Sequence, residues 1–132
     1  MVSYYVGYIV SGAYLFIEAN SFTSDFRNYF YDDEIYGEFQ SELAAQPEKG
    51  QVIAGATPLR KIRWADKRRG MGKRGGLRVI YLHIPDLNIL YLLDVYGKDE
   101  AEDLSKAEKV ELQSMSRDLI RELRDRKEKG RL

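Results

Sequence analysis

The spacing of apolar residues changes near the middle of this chain. Before Gly50 it is helical: Ile35, Phe39 and Leu43 in DDEIYGEFQSELAAQ lie four apart on one face, with acidic residues at the start and Pro47 and Gly50 beyond the end. A strand over 13–18, AYLFIE, precedes a shorter helix in NSFTSDFRNYF, where Asn20 or Ser21 can cap the first turn. After Gly50 the β character takes over. QVIAG, LRKIRWA, LRVIYLHI and NILYLLDVYGK read as strands, and Pro85-Asp86 with Asn88 marks a turn, so this stretch predicts antiparallel hairpins. The helical period returns at the C-terminus. Ser105 and Glu108 spell a capping box, and Leu112, Met115, Leu119 and Leu123 form an apolar stripe that packs on the sheet or on a partner. The predicted fold class is α+β: a small antiparallel sheet with two N-terminal helices and a C-terminal helix, without internal repeats.

A chain of 132 residues is one domain's worth, able to bury about two thirds of its unfolded surface. We assign residues 13–132 to that domain and set residues 1–12 apart as an N-terminal extension or tag. The first seventeen residues, MVSYYVGYIVSGAYLFI, are apolar but interrupted by Ser3, Gly7, Ser11 and Gly12. They fall short of the roughly 20 residues a spanning helix needs, and no Lys or Arg precedes them as in a signal peptide. A β-strand is the expected reading, with no membrane association. At 44% apolar and 32% charged, the composition is that of a globular protein. The absence of cysteine excludes disulfides and thiolate metal sites and fits a cytoplasmic location.

The formal net charge is zero, but it is unevenly spread. From Arg60 to Arg78 there are nine basic residues against one acidic, Asp66, for a local charge of +8; the other twelve basic and twenty acidic residues give −8. A concentrated cationic segment in an acidic chain points to a localised anion site, in contrast to general attraction to polyanions. Within it, KRRGMGKRGG places five cations and four glycines in ten positions. Gly70, Gly72 and Gly75 match G-x-G-x-x-G, but a dinucleotide loop opens a helix and this one runs into LRVIYL. A Walker loop fails as well, because Arg74 follows Gly72-Lys73 where Ser or Thr is required.

What remains is a basic hairpin. Alternation in LRKIRWA puts Lys61 and Arg63 on one face with Leu59, and Arg60, Ile62 and Trp64 on the other. Arg78, just past the glycines, returns beside Lys61 or Arg63, where like charges repel unless an anion sits between them. His83 is the only histidine, and no carboxylate joins it at metal-ligand spacing, so we expect no metal and treat His83 as a strand-end residue. Any chemistry falls to Arg, Lys or Tyr.

PEKGQVI, LRKIRWA, GKRGGLRVIYL, YLLDVYGKDEAEDL and SKAE resemble, in this order, successive blocks of the HigB-type toxins of the RelE/ParE superfamily, over about residues 13–123. The resemblance implies a RelE-like fold, ribosome-dependent cleavage of messenger RNA without a cofactor, and neutralisation by a cognate HigA-like helix-turn-helix antitoxin. Lys61 and Arg63 match the two basic strand positions that face the scissile phosphate in the family, and Arg78 matches the arginine after the glycine turn. The tyrosine and arginine that RelE places near its C-terminus fall at about Ser105 and Asp99 here and do not transfer. Tyr96 and Lys98 stand nearby as replacements. AGATPLR departs from the family's glycine-rich stretch, and residues 1–12 have no counterpart.

In family terms the ribose 2′-hydroxyl attacks the adjacent phosphate, leaving a 2′,3′-cyclic phosphate and a 5′-hydroxyl, and fixed cations stabilise the developing charge. Arg78 suits that role, and Lys61, surrounded by cations, suits proton transfer. Arg60, Lys67, Arg68, Arg69, Lys73, Arg74 and Lys98 are expected to hold ribosomal or messenger RNA backbone. ParE-like members share the fold and often the equivalent of Arg78 while inhibiting DNA gyrase, so that alternative stays open here, as does a basic RNA-binding module without catalysis.

Overall fold

The computed structural model describes residues 4–10, 14–30, 33–65, 76–97 and 104–132. The chain starts with β1 (Tyr4–Val10) and β2 (Tyr14–Ala19), then turns into α1 (Asn20–Asp25), a 3-10 turn (Phe26–Asn28) and α2 (Asp33–Ala45). Asp33 and Glu34 lie in the first turn of α2, where their charge complements the helix dipole, and Tyr36, Phe39, Gln40, Leu43 and Ala44 are its buried side. β3 (Gln51–Val52), β4 (Arg60–Trp64), β5 (Leu77–Ile84) and β6 (Ile89–Gly97) follow, with a 3-10 turn (Pro85–Leu87) between the last two. Asn88 closes that turn at φ 54°, in the left-handed region that asparagine tolerates better than most residues. Last comes α3 (Lys106–Glu128), whose Ser105 and Glu108 form the reciprocal capping box that the sequence predicts.

The six strands make one sheet in the order β1-β2-β6-β5-β4-β3. It is mixed, which corrects the expected antiparallel sheet: β2 runs parallel to β6, pairing Leu15–Glu18 with Ile89–Leu92. Hairpin signals are local and found β4, β5 and β6, whereas this pairing joins segments far apart in the chain and leaves no periodic trace. Residues 4–10, inside the segment set apart as an extension, form an edge strand antiparallel to β2.

Helices cover both faces of the sheet. Phe22, Phe26, Phe30, Phe39 and Leu43, from α1 through α2, pack with Phe16, Ile62, Trp64, Val79, Tyr81 and Leu92. Phe39 meets Trp64 edge-on at 5.2 Å and 85°, an arrangement that aromatic quadrupoles favour. On the opposite face, Leu119 and Leu123 of α3 pack with Ile17, Ile80, Leu82, Ile84, Ile89, Tyr91 and Leu93. Beyond its packing, α3 is tied to the β5–β6 turn by Arg124, which donates from Nε and one terminal nitrogen to the two carboxylate oxygens of Asp86 at 2.9 and 3.0 Å.

One buried hydroxyl fixes the path into β3. Tyr81 Oη accepts the Gly50 N–H at 2.9 Å and donates to the Pro47 carbonyl at 2.9 Å. A Cβ on residue 50 would stand 2.7 Å from the Tyr81 ring, so only glycine permits that approach. Replacing Tyr81 by Phe leaves both backbone groups unsatisfied. We expect a loss of about 1–3 kcal/mol in chemical denaturation, with an unchanged fold by circular dichroism.

Candidate functional site

Strand register collects the sequence-predicted site residues into a grid. Arg63 pairs with Arg78 across β4 and β5, and Arg78 pairs with Tyr96 across β5 and β6. Two residues along each strand, Lys61 pairs with Ile80 and Ile80 with Asp94. Residues two apart share a face, so Arg63–Arg78–Tyr96 and Lys61–Ile80–Asp94 are adjacent rows, roughly 7 Å apart along the strands with strand spacings of about 4.8 Å. Ile80 packs in the core under α3, and Tyr96 and Leu104 pack against the same cluster, which identifies the face.

The alternation in β4 is what presents the cations here. Ile62 and Trp64 are buried toward α2, so Lys61 and Arg63 must point the other way. Arg60 stands on the opposite side from them. Its guanidinium donates to the backbone carbonyls of Gly50 at 2.7 Å and Glu48 at 3.1 Å, which makes it a brace for the 48–50 segment. Lys67, Arg68, Arg69, Lys73, Arg74 and Lys98 lie outside the described residues.

Arg78 is the unusual member. It is only 6% exposed, and one guanidinium nitrogen donates to the Leu77 carbonyl at 3.2 Å. Burial and then repulsion from Arg63 lower its proton affinity, while Tyr96 acts in the opposite sense. A guanidinium stays charged under such pressure, because its ordinary pKa lies above about 12. The pair therefore sets an exposed guanidinium beside a poorly solvated one, and at the buried member an anion gains more than it does in water.

An open groove of about 630 Å³ runs beside these residues, lined by Lys61 and Arg63, by Lys49, Gln51 and Ile53 around β3, and by Leu104 and Lys109 at the start of α3. A second cavity of about 460 Å³ lies between β6 and α3, lined by Ile80, Leu93, Asp94, Glu108, Glu111 and Met115 among others. Leu104 lines both, so the two spaces adjoin. Cations border one and carboxylates the other.

Asp94 was not among the residues singled out from the sequence. The β5–β6 register shifts between Ile80 and Tyr81, whose partners are Asp94 and Leu92. Leu93 is the extra residue of this bulge, and both it and Asp94 line the cavity under α3. The carboxylate accepts the Val95 N–H at 2.9 Å. Burial raises its pKa, and the nearby charge of Asp25 adds to the rise, against the lowering effect of that hydrogen bond. The only available sequence signal was a single acidic residue inside the apolar run YLLDVYG.

His83 occupies a different place. Its Nε2 lies 3.0 Å from Tyr14 Oη, and Nδ1 lies 3.6 Å from Glu48. Burial lowers its pKa despite the opposing pull of Glu48, so the ring is neutral at pH 7. Among the described residues, no cluster of His, Asp and Glu is placed to hold a metal ion, and no helix is long and apolar enough to cross a membrane.

The raised pKa of Asp94 has a thermodynamic consequence. The fold favours the protonated form, so the stability it contributes is full below the unfolded pKa of about 4 and is lost as pH rises through the higher folded value. Asp94→Asn is expected to melt above wild type at pH 7, and that advantage should shrink toward zero below about pH 4. Thermal melts of both proteins across this range check it; equal melting temperatures at pH 7 would contradict the assigned burial cost.

No protein-family model matches the chain, which leaves the geometry of these two rows as the ground for assigning a function.

Proposed function

We propose that this protein is a RelE-like toxin of the HigB type, a ribosome-dependent endoribonuclease that cleaves translated messenger RNA and is held in check by a HigA-like helix-turn-helix antitoxin. The observation that carries the reading is the registered pair of Arg63 and Arg78, with Lys61 in the next row. Two guanidiniums face to face across a ladder destabilise each other, and a phosphodiester relieves the repulsion by accepting from both. Phosphoryl oxygens gain negative charge as the 2′-hydroxyl attacks, so preorganised cations stabilise the transition state more than the ground state. Tyr96, adjacent to Arg78 in the same row, supplies a hydroxyl at the edge of that seat.

The position of the seat favours a nucleic acid over a small anion. The groove is open, and four cations border it: Lys49, Lys61, Arg63 and Lys109. An extended polyanion fills such a channel, with phosphates outside the reacting centre held by lysines that position without reading sequence. Translated messenger RNA in the ribosome is a substrate of this kind, and a cytoplasmic location goes with it. A gyrase inhibitor of the ParE type needs no registered cation pair at a phosphate seat.

Induced expression in a bacterial host followed by primer extension on abundant transcripts tests the assignment. Wild type is expected to arrest growth and cut inside translated reading frames. Arg78→Ala should remain folded and lose about 10²-fold or more in cleavage, as removal of one transition-state donor typically does, while His83→Ala retains cleavage. Growth arrest with intact messages and damaged DNA would replace the nuclease with a gyrase inhibitor.

A further inference from the structure

We infer that Asp94 and Lys61 are the base and acid of the cleavage step, placed at opposite ends of one row so that the scissile phosphate lies between them. The inference rests on the nuclease reading above and extends it to proton transfer. Lys61, Ile80 and Asp94 are mutually registered on three consecutive strands, with apolar Ile80 in the middle. Their backbones are two strand spacings apart, about 10 Å. Displacement at phosphorus is in line, with the attacking and leaving oxygens on opposite sides, and therefore needs a proton acceptor and a proton donor facing each other across the phosphate. This row provides one at each end. The neighbouring row supplies Arg63 and Arg78 for the non-bridging oxygens, and Leu104 lines both the cavity that Lys61 borders and the one that Asp94 borders.

The bonds and protons balance without a co-reactant. The 2′-hydroxyl proton passes to the Asp94 carboxylate as the 2′-oxygen bonds to phosphorus. The bond from phosphorus to the 5′-oxygen breaks, and that oxygen takes a proton from the Lys61 ammonium, leaving a cyclic phosphate and a 5′-hydroxyl. Solvent then restores both groups.

The charges around Asp94 come from every side. α3 presents Glu108 and Glu111 to the same cavity, α1 brings Asp25 near, and β6 carries Tyr96 two residues on. Toward β5 and β4 stand Arg78 and, farther along the row, Lys61. Glu108 is engaged in the Ser105 cap, with its carboxylate accepting the Ser105 N–H at 3.0 Å. Burial and like charge make the Asp94 carboxylate more basic than an ordinary aspartate, as the role requires. The accepted Val95 N–H fixes how it is aimed.

The decisive experiment measures single-turnover cleavage on preformed ribosome–mRNA complexes saturated with wild type, Asp94→Asn or Lys61→Met, from pH 5 to 9. Each protein is tested on ordinary mRNA and on mRNA with a bridging 5′-sulfur at the cleavage site. Loss of a general acid or base typically lowers the rate about 10²- to 10⁴-fold, and both variants should fall in that range on ordinary mRNA with ribosome affinity of Asp94→Asn unchanged. A thiolate leaves without a proton, so the sulfur substrate should restore Lys61→Met and not Asp94→Asn. The falling rate at low pH seen in wild type should vanish from the residual activity of Asp94→Asn. If Asp94→Asn cleaves at the wild-type rate with the same acidic limb, or is rescued by sulfur, the base lies elsewhere although the nuclease reading stands. If wild type itself cuts nothing on any ribosome complex, both fall together.

Discussion

The rung that pairs Arg63 with Arg78 is energetically unfavourable, and the surrounding structure is arranged to hold it. Like charges opposite each other on neighbouring strands work against the ladder by several tenths of a kcal/mol, and one of these guanidiniums is nearly excluded from water. β4 supplies the restraint. Its short alternation buries Ile62 and Trp64 against the aromatic cluster of α2, which fixes the face from which Lys61 and Arg63 leave the strand. Turning the backbone of Arg63 to the other face would withdraw Trp64 from Phe39, and removing a buried aromatic typically costs about 3–5 kcal/mol. Packing on one face thus sustains electrostatic strain on the other.

The same logic extends to the second row. A β-bulge places a carboxylate in a partly closed cavity beneath α3, where its charged form is disfavoured. α3 is held on the sheet by Leu112, Met115, Leu119 and Leu123 and, toward its far end, by the Arg124–Asp86 pair, and its N-terminal turns border both cavities. That anchoring holds a destabilised carboxylate in place, an arrangement common where function requires strained groups.

The sequence made much of this legible, for identifiable reasons. Periodicity located α2, β4, β5, β6 and α3 because each is amphipathic or β-rich over its own length, and the Ser105–Glu108 box marked a helix start because capping is local chemistry. The face shared by Lys61, Arg63 and Arg78 followed from alternation and a single hairpin. Long-range features were hidden: the parallel β2–β6 pairing, the edge strand formed by residues 4–10, and the bulge that brings Asp94 under α3. Arg60 has the same charge as its neighbours, yet the strand turns it to the opposite side, where backbone carbonyls engage it. Composition placed it in the cationic cluster; only the pleat and the Gly50 approach show its structural use.

Anion-dependent stability tests the central claim, that the Arg63–Arg78 rung is kept as a seat for phosphate, most directly. Melting temperatures of wild type and Arg63→Gln can be compared in chloride and in phosphate at matched ionic strength, which separates specific binding from screening. In chloride, Arg63→Gln is expected to melt above wild type, because the buried guanidinium no longer faces a like charge. Phosphate should raise wild type more than the variant and narrow or reverse the gap, the remaining common increase being the general effect of a kosmotropic anion. Equal phosphate shifts in the two proteins would show that the pair holds no anion and would remove the basis for placing the reaction there.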